Sequence, residues 1–215
     1  RPSYQAKTNS GIVTSQGDKA QKSEELRNSF RVKDSDEWVG VNGCGVKVGV
    51  ISDSFDKNTA LKKEQTDINN GDLPGIPDTG LNNNYKVPVE VLMDYPFVGT
   101  SDEGRAMLHI VHDVAPGAEL AFHTGIQSPR IFELAVKNLQ AANSDIIVDD
   151  ITFPLEPFFG EGRISAAIRD FTSKEGNLYF TSAGNFANNG YQKKFTSSSS
   201  TPLTNFLPTG SPARA

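Results

Sequence analysis

The stretch GCGVKVGVI, residues 43–51, is the strongest strand signal in the sequence, and the polar tripeptide SDS at 52–54 ends it. Its valines and isoleucine are typical of a strand in a buried sheet. Shorter apolar segments predict further strands at 87–93, 119–124, 145–151 and 178–181. Helical patterns separate most of these strands, at 101–113, 128–142 and 161–175. This alternation predicts an α/β fold, a parallel sheet flanked by helices on both faces.

The composition excludes several classes of protein. The 215 residues include 21 basic and 26 acidic side chains, a net charge of −5, so the chain lacks the basic excess typical of nucleic-acid binding. No apolar run approaches the roughly 18 residues that a membrane span needs. The single cysteine, Cys44, rules out an internal disulfide framework and a CxxC-type zinc site. We therefore expect neither a nucleic-acid partner nor a membrane partner.

The sequence divides into three parts by composition. We predict an N-terminal extension at 1–39 with a charged surface helix at 18–30, a folded core at 40–195, and a Ser/Thr/Pro-rich tail or truncated continuation at 196–215. Within the core, residues 57–86 are polar and contain several Asn, Gly and Pro. That composition predicts a long loop, and long loops in compact domains are usually functional or disordered.

Polar residues follow three of the predicted strands. They are Ser52 and Asp53, then Asp149 and Asp150, and finally the turn at 182–185. In open parallel sheets, ligands bind beyond the carboxyl ends of the strands. A carboxylate in a buried strand also needs a partner or a functional role. These three strand ends are therefore the expected site.

Glu103 is the residue that most strongly suggests chemistry. On a helix that begins near residue 101, its face is otherwise apolar, with Met, Ile, Val and Val at positions 107, 110, 111 and 114. We therefore expect a carboxylate at the head of a buried stripe. Burial disfavours its charged form and the helix N-terminus favours it, so the charge state is open. The alternative is a capping box, because Thr100 and Glu103 have the spacing Ser/Thr-x-x-Glu.

The three histidines favour packing or solvent exposure over metal binding. His109 and His112 have the spacing of two ligands on one helix face, but Arg105 lies on the same face and a fixed cation repels a divalent metal. We therefore predict that this face is exposed. His123 lies in a predicted strand and is either a packed side chain or a base. The oxygen-rich stretch 67–72 misplaces the glycine of a calcium-binding loop and gives no convincing metal site.

Four segments resemble, in the same order, motifs of the subtilase clan of serine peptidases, which includes subtilisin-like and sedolisin-like enzymes. GCGVKVGVI at 43–51 is similar to the strand that delivers the catalytic Asp, and EGRAM at 103–107 to the helix start that carries the catalytic His or, in sedolisins, Glu. VAPGAEL at 114–120 matches the pattern V-A-P-x-A-x-L, and SAGN at 182–185 the turn whose Asn helps to form the oxyanion hole. The resemblance spans about residues 40–186 and implies a subtilisin-like fold, C-terminally incomplete here.

The resemblance also implies catalytic roles. Glu103 would be the general base of a Ser-Glu-Asp triad, Asp53 would orient it, and Asn185 would donate to the oxyanion. An ungapped match places Ser52 at the family's Asp position, so Asp53 serves only if the strand ends one residue differently. Asp in place of Asn185 would be usual in sedolisins, which indicates an intermediate, sedolisin-like subgroup.

Substrate binding and the nucleophile follow from the same resemblance. Asp149, Asp150 and the apolar loop 152–160 correspond to the region that pairs with the substrate backbone. The family's nucleophile lies in a Gly-Thr-Ser-x-Ala segment beyond the SAGN turn, and no serine of the sequence has that context, since the GTS at 99–101 begins a helix. We therefore expect a serine-type endopeptidase chain that is inactive alone and has two partners, a polypeptide substrate and the remaining C-terminal part of its own domain. Secretion and a calcium ion are implied only by the family.

Two alternatives are left open by the sequence. One is a catalytically inactive module that binds peptides or proteins on the same scaffold, which the absence of a downstream Ser motif would favour. The other is an unrelated α/β domain that binds a sugar or a nucleotide, in which Glu103 is only a helix cap. Replacement of Glu103 by Gln separates the two roles of this residue, because a cap tolerates the change and a general base does not.

Overall fold

The computed structural model describes residues 11–34, 37–61, 63–79, 85–157 and 159–185. The predicted tail at 196–215 lies outside these residues. The chain divides into two compact units, Arg1–Ser182 and Ala183–Ala215. The architecture below is that of the first unit.

The N-terminal part contains two short helices and a hairpin. Helix α1 covers Gln16–Ala20 and α2 covers Ser23–Ser29. Strands β1 (Arg31–Asp34) and β2 (Glu37–Gly40) pair in antiparallel fashion. The prediction of one surface helix at 18–30 was wrong, because the chain breaks at Lys22, whose φ is +60°.

Five parallel strands form the central sheet. They are β3 (Lys47–Ser52), β4 (Glu90–Met93), β5 (Glu119–Thr124), β6 (Ile146–Asp149) and β7 (Leu178–Thr181). Their order across the sheet is β4-β5-β3-β6-β7, and every neighbouring pair is parallel. The predicted α/β fold with a parallel sheet is therefore confirmed.

Four helices connect these strands and cover both faces of the sheet. They are α3 (Glu64–Asn70), α4 (Glu103–Val114), α5 (Pro129–Ala141) and α6 (Arg163–Thr172). Alternate residues of a strand point to opposite faces, so Val50 packs in one core with Ile68 of α3 and Leu108 of α4. Ile51 packs in the other core with residues of α5 and α6, among them Phe171. Helix α3 corrects the prediction of a structureless loop at 57–86.

A buried ion pair joins α1 to α2, and its arginine also contacts the core. The two terminal guanidinium nitrogens of Arg27 donate to Asp18, at 2.6 and 2.7 Å, and Arg27 also donates to the carbonyl oxygen of Val114 at 2.7 Å. Both charged side chains are buried. Their burial contradicts the prediction that this segment is a mere solvated surface, because Arg27 closes the C-terminal end of α4.

Within the described part of the chain, no helix combines the length and the apolar character that crossing a membrane requires.

Candidate functional site

The candidate site lies where the order of the sheet reverses. The chain leaves β3 toward α3 on one face, and it leaves the neighbouring strand β6 toward α6 on the other face. Connections that diverge in this way leave a crevice at the carboxyl ends of the two strands. Ser52, the last residue of β3, donates a hydrogen bond across this crevice to Asp150 at 3.0 Å. Two of the three predicted strand ends are thus brought together.

Asp53 binds the N-terminus of α4 with its carboxylate. One oxygen, Oδ2, accepts from the backbone N–H and the hydroxyl of Ser101, at 2.7 and 2.6 Å. The other, Oδ1, accepts from the N–H of Glu103 at 2.9 Å and from the N–H of Ser54 at 2.5 Å. An anion at this position satisfies unpaired N–H groups and interacts favourably with the helix dipole. The Asp53 carboxylate therefore contacts the backbone of Glu103, whereas the Ser52 hydroxyl donates to Asp150.

Glu103 is exposed. This contradicts the prediction that Glu103 is the first residue of a buried apolar face of the helix. The buried residues of α4 are Gly104, Arg105, Leu108 and His112. The helix turns this face inward because Gly104 packs against β5. A Cβ on Gly104 would lie 2.3 Å from the ring of Phe122, so only glycine allows this approach.

The predicted capping box is not formed either. The hydroxyl of Thr100 is buried without a hydrogen-bond partner in the described structure, and Asp53 takes the N–H of Glu103 instead. The cap is therefore supplied by a residue 50 positions earlier in the chain. An aspartate oxygen that accepts from a backbone N–H is an ordinary N-cap interaction. Here, however, the aspartate belongs to the end of strand β3 and not to the residues that precede the helix.

Arg105 is buried among three carboxylates, which corrects the prediction of an exposed face. Its guanidinium lies 2.8 Å from Asp56, 3.3 Å from Asp67 and 3.5 Å from Asp102. His109 also lies on this side, 3.2 Å from Asp67. The network joins α4 to α3 and to the loop that follows β3. Sequence reasoning missed it, although a buried arginine requires acidic partners.

His112 is buried, again contrary to the predicted exposed face. Its ring stacks edge-on against Tyr85, with centroids 5.8 Å apart, and both ring nitrogens lack a hydrogen-bond partner among the described residues. Burial lowers the pKa of His112 to about 4, and the neighbouring His109 contributes in the same direction. In the described residues, no group of three or more His, Cys, Asp or Glu side chains could hold a metal ion.

Asp149 is engaged within the sheet. Its carboxylate accepts hydrogen bonds from the hydroxyl of Tyr179 at 2.7 Å, from the hydroxyl of Thr181 at 3.2 Å and from the N–H of Ile151 at 3.1 Å. Burial raises its pKa, and these hydrogen bonds oppose the increase. The structure therefore gives Asp149 the partners that a buried carboxylate requires, and its contacts hold β6 to β7.

Asp150 faces the crevice and is only partly buried. Burial raises its pKa to about 6, and the negative charges of Glu103, Asp53 and Asp149 add to the increase, although the hydrogen bond from Ser52 opposes it. The raised pKa therefore reflects both burial and the acidic surroundings of the crevice.

His123 is a packed side chain, one of the two roles that the sequence left open. It is fully buried in β5. Its Nδ1 lies 2.7 Å from the carbonyl oxygen of Thr124, and its Nε2 lies 3.1 Å from the amide nitrogen of Asn138. A carbonyl oxygen only accepts, so Nδ1 carries the proton and Nε2 accepts. Burial lowers the pKa of His123, and the hydrogen bond to Thr124 opposes this decrease.

Two further parts of the predicted site are Asn185 and the substrate loop at 152–160. Asn185 belongs to the second unit, in which Gly184 has a φ of +76°, and its role in an oxyanion hole stays a prediction. In the predicted substrate loop 152–160, Leu155 and Phe159 are almost fully exposed. Large apolar side chains in solvent mark a surface that binds another molecule when they are grouped.

Comparison with protein-family models gives no match for this chain, and comparison with curated protein sequences gives none of significance.

Proposed function

We propose that the protein is a serine-type endopeptidase of the subtilase clan, with the subtilisin-like form of the α/β fold, and that Glu103 is its general base. The observation that carries the proposal is the exposed carboxylate of Glu103 at the sheet's switch point, on a helix whose first turn is bound by Asp53. The sequence motifs that resemble the clan lie on this same strand end and helix start.

In this mechanism Glu103 accepts the hydroxyl proton of the attacking serine and returns it to the leaving amine. Asp53 orients Glu103 through the backbone, since its oxygens already accept from Ser54, Ser101 and Glu103 itself. Asn185 donates a hydrogen bond to the developing oxyanion.

The nucleophile comes from a segment outside the described residues, as a Ser in the clan's motif. Such a segment needs a surface on which to pack, and the outer strand β7 offers one. Leu178 and Phe180 lie on the same face of β7, and 51% and 55% of their surfaces are exposed. The C-terminal continuation of the domain would cover this face. The described chain alone is then inactive.

A polypeptide is the proposed substrate. It would lie along the crevice, with Asp150 and the end of β6 beside its backbone and the exposed Leu155 and Phe159 beside apolar side chains. Asp149 is occupied by Tyr179 and Thr181, so we assign its contribution to the shape of the strand end. By resemblance to the clan, we also propose that the protein is secreted.

The test is proteolysis of a denatured protein substrate at acid pH by the native gene product. Glu103→Gln should lower kcat by about 10²–10⁴-fold, the usual contribution of a general base. Glu119→Gln, an exposed glutamate at the opposite end of the sheet, should leave the rate unchanged. A fluorophosphonate probe should label the serine of the wild-type protein. Full activity of the Glu103→Gln variant would refute the proposal.

A second function, peptide binding without cleavage, is favoured by one observation. Three serine hydroxyls near the start of α4 each donate to an aspartate, Ser52 to Asp150, Ser101 to Asp53 and Ser54 to Asp102. None of these three hydrogen bonds is to Glu103, the partner that a nucleophilic serine would need. Binding of an unfolded polypeptide with no product and no probe labelling would support this second function.

A further inference from the structure

Asp102, the residue before Glu103, has an unusual backbone. Its φ is +57°, in the left-handed region that residues other than glycine rarely adopt. Its side chain is completely buried. Residues in such conformations persist where their surroundings hold them, and they cluster at functional sites.

The carboxylate of Asp102 holds the loop that follows β3. One oxygen accepts from the hydroxyl of Ser54 and from the N–H of Lys57, both at 2.7 Å, and the other accepts from the N–H of Asn58 at 3.0 Å. Arg105 lies 3.5 Å from the second oxygen. Burial opposes ionisation of Asp102, but these hydrogen bonds and the Arg105 charge outweigh it and lower the pKa of Asp102.

The backbone of Asp102 also contacts Ser54. Its N–H donates to the hydroxyl of Ser54 at 3.0 Å, so Ser54 is both donor and acceptor to one residue. The N–H groups on either side of Asp102, those of Ser101 and Glu103, both point at the carboxylate of Asp53, at 2.7 and 2.9 Å. Successive N–H groups around a left-handed residue form an anion-binding nest. Here the bound anion is a side chain of the protein.

We propose that Asp102 is a positioning residue for Glu103, because its buried carboxylate fixes the left-handed turn that binds Asp53. This inference rests on the proposed function of Glu103 as the general base. Asp102 does not touch the reacting atoms; it sets the geometry of the helix start from which Glu103 projects. Without its side-chain contacts, the turn relaxes toward an ordinary conformation and the nest opens.

The experiment is an NMR comparison of the full chain and of Asp102→Asn. Asparagine also tolerates the left-handed region, so this variant removes the charge and one acceptor but keeps the backbone preference. In the wild-type protein, the amide protons of Ser101 and Glu103 should be shifted downfield and protected from hydrogen exchange, because both donate to Asp53. In Asp102→Asn the downfield shift and the protection should be lost at both amides.

Two further variants keep the test decisive. Asp67→Asn is the matched control, because Asp67 is a buried partner of the same Arg105 guanidinium but lies on α3; it should leave both amides unchanged. Ser54→Ala is the milder second variant, which removes the bridging hydroxyl and should reduce the downfield shift and the protection of both amides.

The kinetic arm uses the active gene product. Asp102→Asn should lower kcat by about 10²-fold with KM little changed, the effect of a displacement of about 1 Å in a catalytic group. Unchanged chemical shifts and unchanged exchange protection of the Ser101 and Glu103 amides in both Asp102→Asn and Ser54→Ala would overturn the positioning role. If the downfield shift and the protection are lost and Glu103→Gln keeps full activity, the positioning role of Asp102 in the turn is confirmed and the proposed function is wrong.

Discussion

His112 should make the stability of this protein depend on pH. The ring is 1% exposed and its nitrogens have no described hydrogen-bond partner, so a proton on it is poorly solvated. Its pKa is about 4 in the folded state, against 6.5 for an ordinary histidine. Between these values the unfolded chain binds the proton and the folded chain does not. Stability is therefore unaffected above pH 6.5 and falls as the pH decreases from 6.5 toward 4.

The size of this effect follows from the two pKa values. At 1.36 kcal/mol for each pKa unit, the interval from 6.5 to about 4 corresponds to about 3 kcal/mol of unfolding free energy. Asp150 works in the opposite sense, because its pKa is raised to about 6 and its contribution to stability is lost as the pH rises through that value. The contribution of His112 must therefore be measured as a difference between two proteins.

The assay is urea unfolding of the wild type and of His112→Phe at several pH values from 7.5 to 4. Phenylalanine keeps the edge-on contact with Tyr85. The variant should gain about 3 kcal/mol relative to the wild type over this range. Glu119→Gln, a change at an exposed residue of β5, serves as the control. An equal pH dependence of wild type and His112→Phe, or an NMR titration of His112 near 6.5, would refute the reasoning.

Two further predictions concern buried contacts. Arg27→Met should destabilise the protein by about 3–5 kcal/mol in urea unfolding, because it leaves the buried Asp18 carboxylate uncompensated. The double variant Arg27→Met/Asp18→Leu should regain most of this stability. A double variant as unstable as Arg27→Met would contradict the ion-pair argument. Gly104→Ala should lower stability by about 1–3 kcal/mol despite alanine's higher helix propensity, because the new methyl group meets Phe122. A neutral or stabilising effect in thermal unfolding would contradict this packing argument.

The strands were predictable because their signal is local. The segments 119–124 and 178–181 were expected as strands and form β5 and β7 with the same bounds. Apolar and aromatic residues between Pro, Gly and Asn boundaries are sufficient for this. Helix α3 was missed because its sequence EQTDINN has a single large apolar residue, Ile68. Its place depends on the burial of Ile68 and on the Asp67–Arg105 contact, which are tertiary.

The orientation of α4 could not be obtained from periodicity alone. The predicted buried face of α4 contains Glu103, and the observed buried face contains Gly104 and Leu108. The two faces differ by a rotation of about one residue, and both contain apolar positions. Two non-local contacts select the observed face. Gly104 allows close approach to Phe122, and Arg105 enters a cluster of carboxylates from other segments. Neither contact leaves a pattern within the helix sequence.

The exposure of Glu103, the first residue of α4, changes the chemistry expected of it. A buried Glu103 would need its proton removed in an apolar environment, whereas the exposed Glu103 is free to meet a substrate, and its backbone is held by Asp53. Because the same helix carries His112 in its last turn, protonation that weakens packing there acts on the element that positions the candidate base. The pH dependence of stability that His112 confers is therefore expected at the helix from which Glu103 projects.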